Sequence, residues 1–274
     1  MGNEIEEMIK VLDRLIRFLI EESPEYRRIS VPRDLDGKKN LFRALCNVRP
    51  PMPVSGEFLE LEGIYLKGEL EKKGVTDGEL LKMAGPDAMI LWKGDITTLK
   101  ADAIVNAANG GLTGCYVPCH RCIDNAIHSA AGVSLRLECS RLMERENGGR
   151  DEPVGRAKIT SGGYLPCRHV IHTVGPCISG HVTEQDRRDL ASCYRSCMET
   201  AEANGLHSIA FCCISTGEFR FPAEEAAQIA VETVREEIQR SHHVIRVIFN
   251  VFSERDLAIY QRLLAAQDHF GGGT

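Results

Sequence analysis

Residues 103–132 read AIVNAANGGLTGCYVPCHRCIDNAIHSAAG, and this stretch organises the rest of the chain. A short apolar run comes first, a Gly-rich loop follows, and a helical pattern begins near Cys122. This order is typical of α/β proteins, in which helices join largely parallel strands. Ligands of such sheets bind in the loops beyond the carboxyl ends of the strands. The stretch therefore predicts both a fold class and the position of a site.

The loop of this stretch carries four side chains of the kind that bind metals: Cys115, Cys119, His120 and Cys122. Thiolates and an imidazole suit zinc. Adjacent side chains such as Cys119 and His120 do not easily face one ion, so we expect three ligands and an open fourth position, as in catalytic zinc sites. A redox-active CxxC pair or a set of buried thiols is the alternative. Four further cysteines fit core positions better: Cys193, Cys197, Cys212 and Cys213.

The same alternation continues on both sides of the stretch. Apolar runs predict strands at residues 88–92, 103–105, 157–160, 169–174, 208–214 and 244–251. Helical patterns lie between and after them, at residues 122–131, 134–146, 184–203, 223–239 and 254–265. Strands and helices that alternate in this way predict a largely parallel sheet covered on both faces.

Residues 1–86 are interpreted as an N-terminal helical extension, 87–266 as the α/β domain and 267–274 as a flexible tail. Apolar residues at helical spacing predict an amphipathic helix over 5–20, which Ser23-Pro24 ends. Further helices are predicted at 38–47, 58–72 and 77–83. The three prolines of residues 49–53 require an extended segment, which we expect to be exposed.

Composition excludes several classes of protein. The chain has 274 residues, of which 43% are hydrophobic, enough for a substantial core. A net charge of −6 argues against a general nucleic-acid binder. The first residues lack the pattern of a secretory signal, and no apolar run approaches the length of a membrane span. With an odd number of cysteines, 11, we expect a cytoplasmic protein rather than a disulfide scaffold.

Two other loops favour a nucleotide-like ligand, each with an ordinary alternative. Ser215-Thr216-Gly217-Glu218-Phe219 follows a predicted strand and offers backbone amides to a phosphate, although many strand-to-helix turns are rich in Ser and Gly. Asp95 is placed to accept a hydrogen bond from a ligand amine or, more commonly for such a residue, to cap a helix.

In order and spacing, these segments resemble the macrodomain family. The matching segments are GDIT from Gly94, AIVNAAN from Ala103, IHSAAG from Ile127, GRAKIT from Gly155, YLPCRHVIHTVGP from Tyr164 and ISTGEFRFP from Ile214. The resemblance implies a three-layer α/β/α sandwich with a mixed, mostly parallel sheet that binds ADP-ribose. Where the common hydrolase type has three glycines and an Asp, this chain has GCYVPCHRCID. That loop is similar to the zinc-containing microbial branch, whose members remove mono-ADP-ribose from proteins and carry an N-terminal helical extension.

The resemblance also implies a role for individual residues. The zinc ligands would be Cys115, His120 and Cys122, with Cys119 as an extra cysteine. Asn109 would hold the distal ribose, and Asp124 would be the catalytic aspartate, which orients or deprotonates the water. Asp95 would accept from the adenine amine, and Phe252 would stack near the base or belong to the core. The remaining expected ligand contacts are Ile96, Asn106, Gly132, Val133, Ser215, Thr216, Gly217, Glu218 and Phe219.

The sequence therefore predicts a zinc-dependent protein mono-ADP-ribosyl hydrolase. Its partners would be ADP-ribose and a mono-ADP-ribosylated protein, and branch members are often linked to a sirtuin-type ADP-ribosyltransferase. The rival hypotheses are a non-catalytic ADP-ribose reader with a structural zinc and a redox-sensing thiol module. The second rival leaves the NAAN and ISTG segments unexplained.

Overall fold

A computed structural model describes residues 2–83, 89–244 and 246–265. The strands are β1 (Thr76–Asp77), β2 (Met89–Lys93), β3 (Leu99–Lys100), β4 (Ala103–Ala107), β5 (Ala157–Ser161), β6 (His169–Thr173), β7 (Ser208–Phe211) and β8 (Arg246–Val251). The α-helices are α1 (Gly2–Glu21), α2 (Leu35–Val48), α3 (Gly56–Lys73), α4 (Ile123–Ala131), α5 (Val133–Asn147), α6 (Glu184–Ala203), α7 (Ala223–Arg240) and α8 (Glu254–Ala265).

Six strands form one mixed sheet in the order β2-β8-β7-β4-β6-β5. Every neighbouring pair is parallel except β5 and β6, which are antiparallel. The strand of the opening stretch, β4, lies inside the sheet between β7 and β6. The loop that follows β4 and carries Cys115, His120 and Cys122 (the Cys- and His-bearing loop) therefore starts near the middle of the row of strand ends. The predicted α/β class and the mostly parallel sheet are confirmed.

Helices cover this sheet and bury its apolar strands. α4 and α5 pack on β4 and β5, while α6 packs on β5 and β6 and α8 on β2. α7 lies beside α6 and α8. The resulting core is continuous and contains whole strands, as the fully buried Ile104, Val170 and Ile209 show. Burial on both faces explains why these strands are apolar throughout rather than alternating.

The N-terminal extension has a hydrophobic core of its own. α1, α2 and α3 contribute fully buried Leu12, Leu15, Phe42 and Phe58, and Val133 from the start of α5 joins the same cluster. The extension therefore packs directly on the α/β domain. Side-chain caps fix the starts of two helices, because Asp34 accepts from the amide of Gly37 and Ser55 from that of Phe58.

Three expectations about local structure were wrong in whole or in part. Residues 77–83 do not form an α-helix: β1 pairs with β3, and a 3₁₀ turn follows at Gly78–Leu80. Gly78 lies so close to β3 that an added Cβ would approach the carbonyl of Lys100 to 2.8 Å. The strand predicted at 208–214 ends at Phe211. Most of the 49–53 segment is exposed as expected, but Arg49 is buried, with 4% of its surface exposed, and Glu22 and two carbonyls bind its guanidinium.

Some predictions fall outside the described residues. They are the boundary between 86 and 87, the start of the strand at 88 and the tail at 267–274. Among the helices that the structure describes, none has the length and apolar character needed to cross a bilayer.

Candidate functional site

A cavity of about 480 Å³ opens at the carboxyl ends of β4, β7 and β8. β4 and β7 are paired only at Ala103 with Ile209 and at Ile104 with Ala210. Beyond Ile104, β4 continues beside β6 alone as far as Ala107, and the cavity lies where the pairing with β7 has stopped. Cys212 belongs to the core as expected and Cys213 packs against it; just after the end of β7, both also line the cavity. The position agrees with the general rule for parallel sheets.

The Cys- and His-bearing loop brings three donor atoms together on the wall of this cavity. The ligand atoms of Cys115, His120 and Cys122 all lie within 4.8 Å of one another. Sγ of Cys115 is 3.5 Å from Nδ1 of His120, so Nδ1 faces the thiols. Nε2 of His120 lies 3.5 Å from Oε1 of Glu218. Two sulfurs and one nitrogen at this separation fit zinc with an open position.

Cys119 stands apart from these three residues. Its Sγ points to the carbonyl of Asn40 on α2 at 3.4 Å, and its amide donates to Asn47 Oδ1 at 2.8 Å. Its φ of +53° is rare for a residue with a side chain. The geometry therefore groups the three residues that the resemblance selected and leaves the fourth on the extension side. Metal binding by them stays a prediction.

Burial raises the pKa of the Cys122 thiol to about 11, and the neighbouring Cys115 acts in the same direction, while the amide of Asn125 lowers it. A thiol in this state is protonated at neutral pH. Binding a cation would therefore release its proton.

Asp124 lies in the first turn of α4, lines the cavity and is only 5% exposed. Its Oδ1 accepts a hydrogen bond from Asn106 Nδ2 at 2.8 Å, and its Oδ2 lies 3.5 Å from Asn109 Nδ2. Burial raises the pKa of Asp124 to about 6, although the Asn106 hydrogen bond and the charge of Arg136 lower it. The cavity thus contains one buried carboxyl group with a fixed orientation.

A buried polar chain supports Asp124 from behind. Asn106 also lies 3.1 Å from Nδ1 of His172, and Nε2 of His172 is 2.9 Å from the hydroxyl of Thr160. Burial lowers the pKa of His172 to about 3, so its ring is neutral. Asn106 was expected to touch the ligand; the structure instead places it beneath Asp124, with no exposed surface.

A second group with metal-type donors lies in the core: His128, Cys139 and His172, all buried. Both ring nitrogens of His172 already face Asn106 and Thr160. His128 Nε2 lies 3.6 Å from Asp124 Oδ1, and burial keeps its pKa well below the usual value. We therefore interpret this group as part of the polar packing behind Asp124.

Asn109 shapes the turn that begins the loop. Its Oδ1 accepts from the amide of Gly111, and its Nδ2 donates to the carbonyl of Gly114. Gly114 has a φ of +84°, and a Cβ there would lie 2.8 Å from the ring of His128. Only glycine suits this position. Asn109 is exposed at the cavity, where the resemblance expects a distal ribose.

The loop after β7, residues 215–219, carries backbone amides left unpaired by the described residues and is called the amide nest below. Ser215 and Arg220 both have positive φ values, 64° and 60°, and Phe221 donates to the carbonyl of Ser215. Within the described part of the chain, the amides of Gly217, Glu218 and Phe219 have no hydrogen-bond partner. All of residues 215–219 line the cavity. Such a nest suits an anion, as expected for a diphosphate. The exposed Glu218 carboxylate faces His120.

The other expected contacts are divided between the cavity and the interface with the extension. Phe252 lines the cavity rim with 80% of its surface exposed, so it is not a core residue. Asp95 accepts from the amide of Thr97 as a helix cap, and its Oδ2 is 2.8 Å from Lys73 on α3. Burial raises the pKa of Asp95, but Lys73 and Thr97 outweigh it and lower the value. Ile96 is in the core.

Gly132 and Val133 face the extension rather than the large cavity. They line a separate space of about 80 Å³, together with Glu62 of α3. Oε1 of Glu62 accepts from the amide of Val133 at 3.0 Å, at the first residue of α5. A carboxylate of the protein itself therefore occupies the helix start that was expected to face a phosphate.

Sequence reasoning missed the residues that support the loop from outside it. Arg43 on α2 donates to the carbonyl of His120 and to Asn125, and Asn47 holds Cys119. No motif marks them, because helical spacing identifies a buried face but not its partner. His172 had a weak signal, a polar residue within an apolar strand.

Comparisons with known proteins agree with this geometry. A family model described as Macro domain matches residues 105–230. A protein-ADP-ribose hydrolase from Treponema medium is 50% identical over 254 residues, covering 92% of this chain and 97% of the relative. A protein of the same name from Staphylococcus aureus strain MSSA476 is 44% identical over 251 residues, covering 91% and 93% of the two chains.

Among solved structures, a mutant macrodomain from Oceanobacillus iheyensis with ADPR superposes with a TM-score of 0.63 at 38% identity, covering 69% of this chain and 98% of that one. The family model, the nearly full-length relatives and the superposition point to one assignment. This chain belongs to the macrodomain family.

Proposed function

We propose that this protein is a zinc-dependent hydrolase that removes mono-ADP-ribose from modified proteins and releases ADP-ribose. One observation carries the proposal: the buried carboxyl of Asp124 lines the same cavity as the Cys115, His120 and Cys122 donors and the 215–219 amide nest. Two nearly full-length relatives named protein-ADP-ribose hydrolase support it.

The cavity offers a distinct partner to each part of ADP-ribose. The amides of residues 217–219 offer hydrogen-bond donors to the diphosphate. Phe252 at the rim presents an aromatic face to the adenine, since base stacking on an exposed ring is favourable. Asn109 and Asp124 then lie at the distal ribose, next to the Cys- and His-bearing loop.

Hydrolysis breaks the bond between the anomeric carbon of the distal ribose and the acceptor side chain. A water oxygen forms the new bond to that carbon, and the proton of the water passes to a base while the acceptor takes up a proton. Asp124 is the base in this scheme, and Asn106 fixes the direction of its carboxylate. When bound by Cys115, His120 and Cys122, zinc would supply a Lewis acid at this end of the cavity.

The deciding experiment uses the full chain and a mono-ADP-ribosylated protein. Free ADP-ribose should appear with time, and treatment with a zinc chelator should stop its release. Release that continues unchanged in demonstrably zinc-free protein would remove zinc from the proposal. Binding of ADP-ribose without any turnover would instead favour the reader hypothesis, in which zinc is structural.

The physiological setting is part of the same proposal. Composition favours a cytoplasmic protein, and the resemblance to the zinc-containing branch suggests a sirtuin-type ADP-ribosyltransferase as its functional partner. A protein modified by such an enzyme is the substrate of choice for the assay.

A further inference from the structure

We propose that the N-terminal extension is part of the metal site, with Arg43 and Asn47 of α2 as positioning residues for the loop that carries Cys115, His120 and Cys122. The inference rests on the zinc binding in the proposed function. It adds a positioning role for residues 1–86, which are interpreted from sequence only as a helical extension.

Arg43 is the first of two anchors. Its Nη2 donates to the carbonyl of His120 at 3.0 Å and to Oδ1 of Asn125 at 2.7 Å, and its Nε donates to the same Oδ1 at 3.2 Å. Asn125 is fully buried and connects Arg43 to the loop, because its Nδ2 donates to the carbonyl of Val117 at 3.1 Å. One guanidinium thus fixes two carbonyls of the loop, one of them in a predicted ligand.

Asn47 is the second anchor and is only 2% exposed. Its Oδ1 accepts from the amide of Cys119 at 2.8 Å, and its Nδ2 donates to the hydroxyl of Ser129 at 3.1 Å. Cys119 immediately precedes His120 and has a φ of +53°. A positive φ at a residue with a side chain is unfavourable and persists only where the surroundings hold it. Asn47 supplies part of that restraint.

Arg136 of α5 connects the end of α2 to the same loop. Its Nη1 donates to the carbonyls of Asn47 at 2.7 Å and Arg49 at 2.5 Å, at the carboxyl end of α2. Its guanidinium carbon lies 4.2 Å from the ring centroid of Tyr116, the residue after Cys115. The carbonyl end of a helix favours a cation, and Arg stacks well on an aromatic ring.

These contacts matter because no helix or strand lies between Ala107 and Ile123. A free loop would have to lose conformational freedom when three of its side chains converge on one ion, and that loss weakens binding. A loop already held by α2 loses less. Groups that orient metal ligands in this indirect way typically change metal affinity by about 10- to 100-fold.

The test measures zinc affinity by competition with a chelator, using the full chain. Arg43→Met and Asn47→Leu remove the anchors while keeping similar volume. Lys39→Met is the matched control, because Lys39 lies on the same helix and pairs with Glu69 of α3 at 2.7 Å without touching the loop. Asn47→Asp keeps an oxygen that accepts from the Cys119 amide, so it should retain the zinc affinity that Asn47→Leu loses. Unfolding midpoints of all variants in excess chelator separate zinc loss from loss of fold.

We expect zinc affinity to fall about 10- to 100-fold in Arg43→Met and Asn47→Leu and to stay near wild type in Lys39→Met and Asn47→Asp. ADP-ribose affinity should change little in all four. Equal zinc affinity in Arg43→Met, Asn47→Leu and wild type would overturn the inference while leaving the zinc enzyme intact. An equal loss of zinc affinity in Lys39→Met would also overturn the inference, because it would show a general destabilisation rather than an effect of the two anchors. A wild type that binds no zinc would end both proposals.

Discussion

Asn106 Nδ2 lies 2.8 Å from Oδ1 of Asp124, and both side chains are buried. The amide is neutral, so it orients the carboxyl group without adding a charge. Because the same nitrogen also contacts His172 in the sheet, the direction of Asp124 depends on the core rather than on a mobile surface loop. Preorganisation of this kind is what a group acting in a transition state requires.

Replacement of Asp124 by Asn should reduce turnover much more than ADP-ribose binding. The volume is kept, but the group can no longer accept a proton from water. A general base typically contributes about 10²- to 10⁴-fold, so kcat should fall by that factor while the Kd for ADP-ribose changes only a few-fold. Asp256→Asn is the control, since this carboxylate lines the same cavity beside Phe252. Full activity of Asp124→Asn would exclude Asp124 as the base.

Gly175→Ala should weaken ADP-ribose binding. A Cβ at Gly175 would lie 2.0 Å from Oγ of Ser215 and 2.9 Å from Cγ2 of Ile214, so the start of the amide nest must move. Overpacking of this kind costs about 1–3 kcal/mol. When that cost is borne by the ADP-ribose complex, the affinity falls by roughly 5- to 150-fold. Gly180→Ala is the control in the same connection, with nothing near its Cβ. Calorimetric titration of both variants decides the point; equal affinities would contradict it.

Glu62 should make the stability of the protein fall as the pH rises. Burial raises the pKa of Glu62 to about 7 from an ordinary 4.5, against the Val133 amide and Arg49, which lower it. Between pH 4.5 and about 7, the Glu62 carboxyl is therefore protonated in the folded state and ionised in the unfolded state. The contribution is fully present below pH 4.5 and is lost as the pH rises through 7, with a size of up to about 3 kcal/mol.

Glu62→Gln keeps an acceptor for the Val133 amide and removes the ionisation, so its advantage over wild type should grow between pH 5 and pH 8 (chosen to span roughly the two pKa values). The free energy of unfolding of both proteins across this range provides the measurement. Glu60→Gln, an exposed change on the same helix, should follow wild type. A constant difference between Glu62→Gln and wild type would show that Glu62 does not titrate in this window.

Arg49→Met should destabilise the protein strongly. Arg49 binds both carboxylate oxygens of Glu22, at 2.7 and 2.8 Å, and also donates to the carbonyls of Met52 and Pro53. Arg49 is buried but Glu22 is exposed, so the cost is that of losing hydrogen bonds to a charged group, roughly 1.5–3 kcal/mol. The exposed pair of Arg14 and Glu57 supplies the contrast, and Arg14→Met should cost about 1 kcal/mol or less. Chemical denaturation that shows similar losses for both variants would contradict this assignment.

The sequence predicted the parts of the site that follow strand ends. Cys115, His120 and Asp124 follow β4, and Ser215 to Phe219 follow β7; all of them line one cavity. This succeeded because parallel strands bring their carboxyl ends to one edge, whatever the details of packing. The alternating pattern also predicted the central strands and their flanking helices, since burial on both faces produces the same apolar runs.

The failures involve contacts between segments far apart in sequence. Asp95 pairs with Lys73, and the amide of Val133 with Glu62, so α3 contacts two of the positions that the resemblance associates with the ligand. Sequence patterns did not show these contacts, and ligand binding at the two positions stays a prediction. Hydrophobic spacing shows that α3 has a buried face but not where it docks. Residues 77–83 were assigned to a helix from local pattern alone, whereas the close approach of Gly78 to Lys100 decides their structure.

Arg43 and Asn125 are 82 positions apart in the chain. A contact over such a distance closes a long loop of chain and forms only after much of the intervening structure has been ordered. We therefore expect the Cys- and His-bearing loop to reach its final shape late in folding, once helices from both ends of that interval have met. Zinc uptake, which the proposed function assigns to this loop, should accordingly lag behind the recovery of helical signal in a refolding sample.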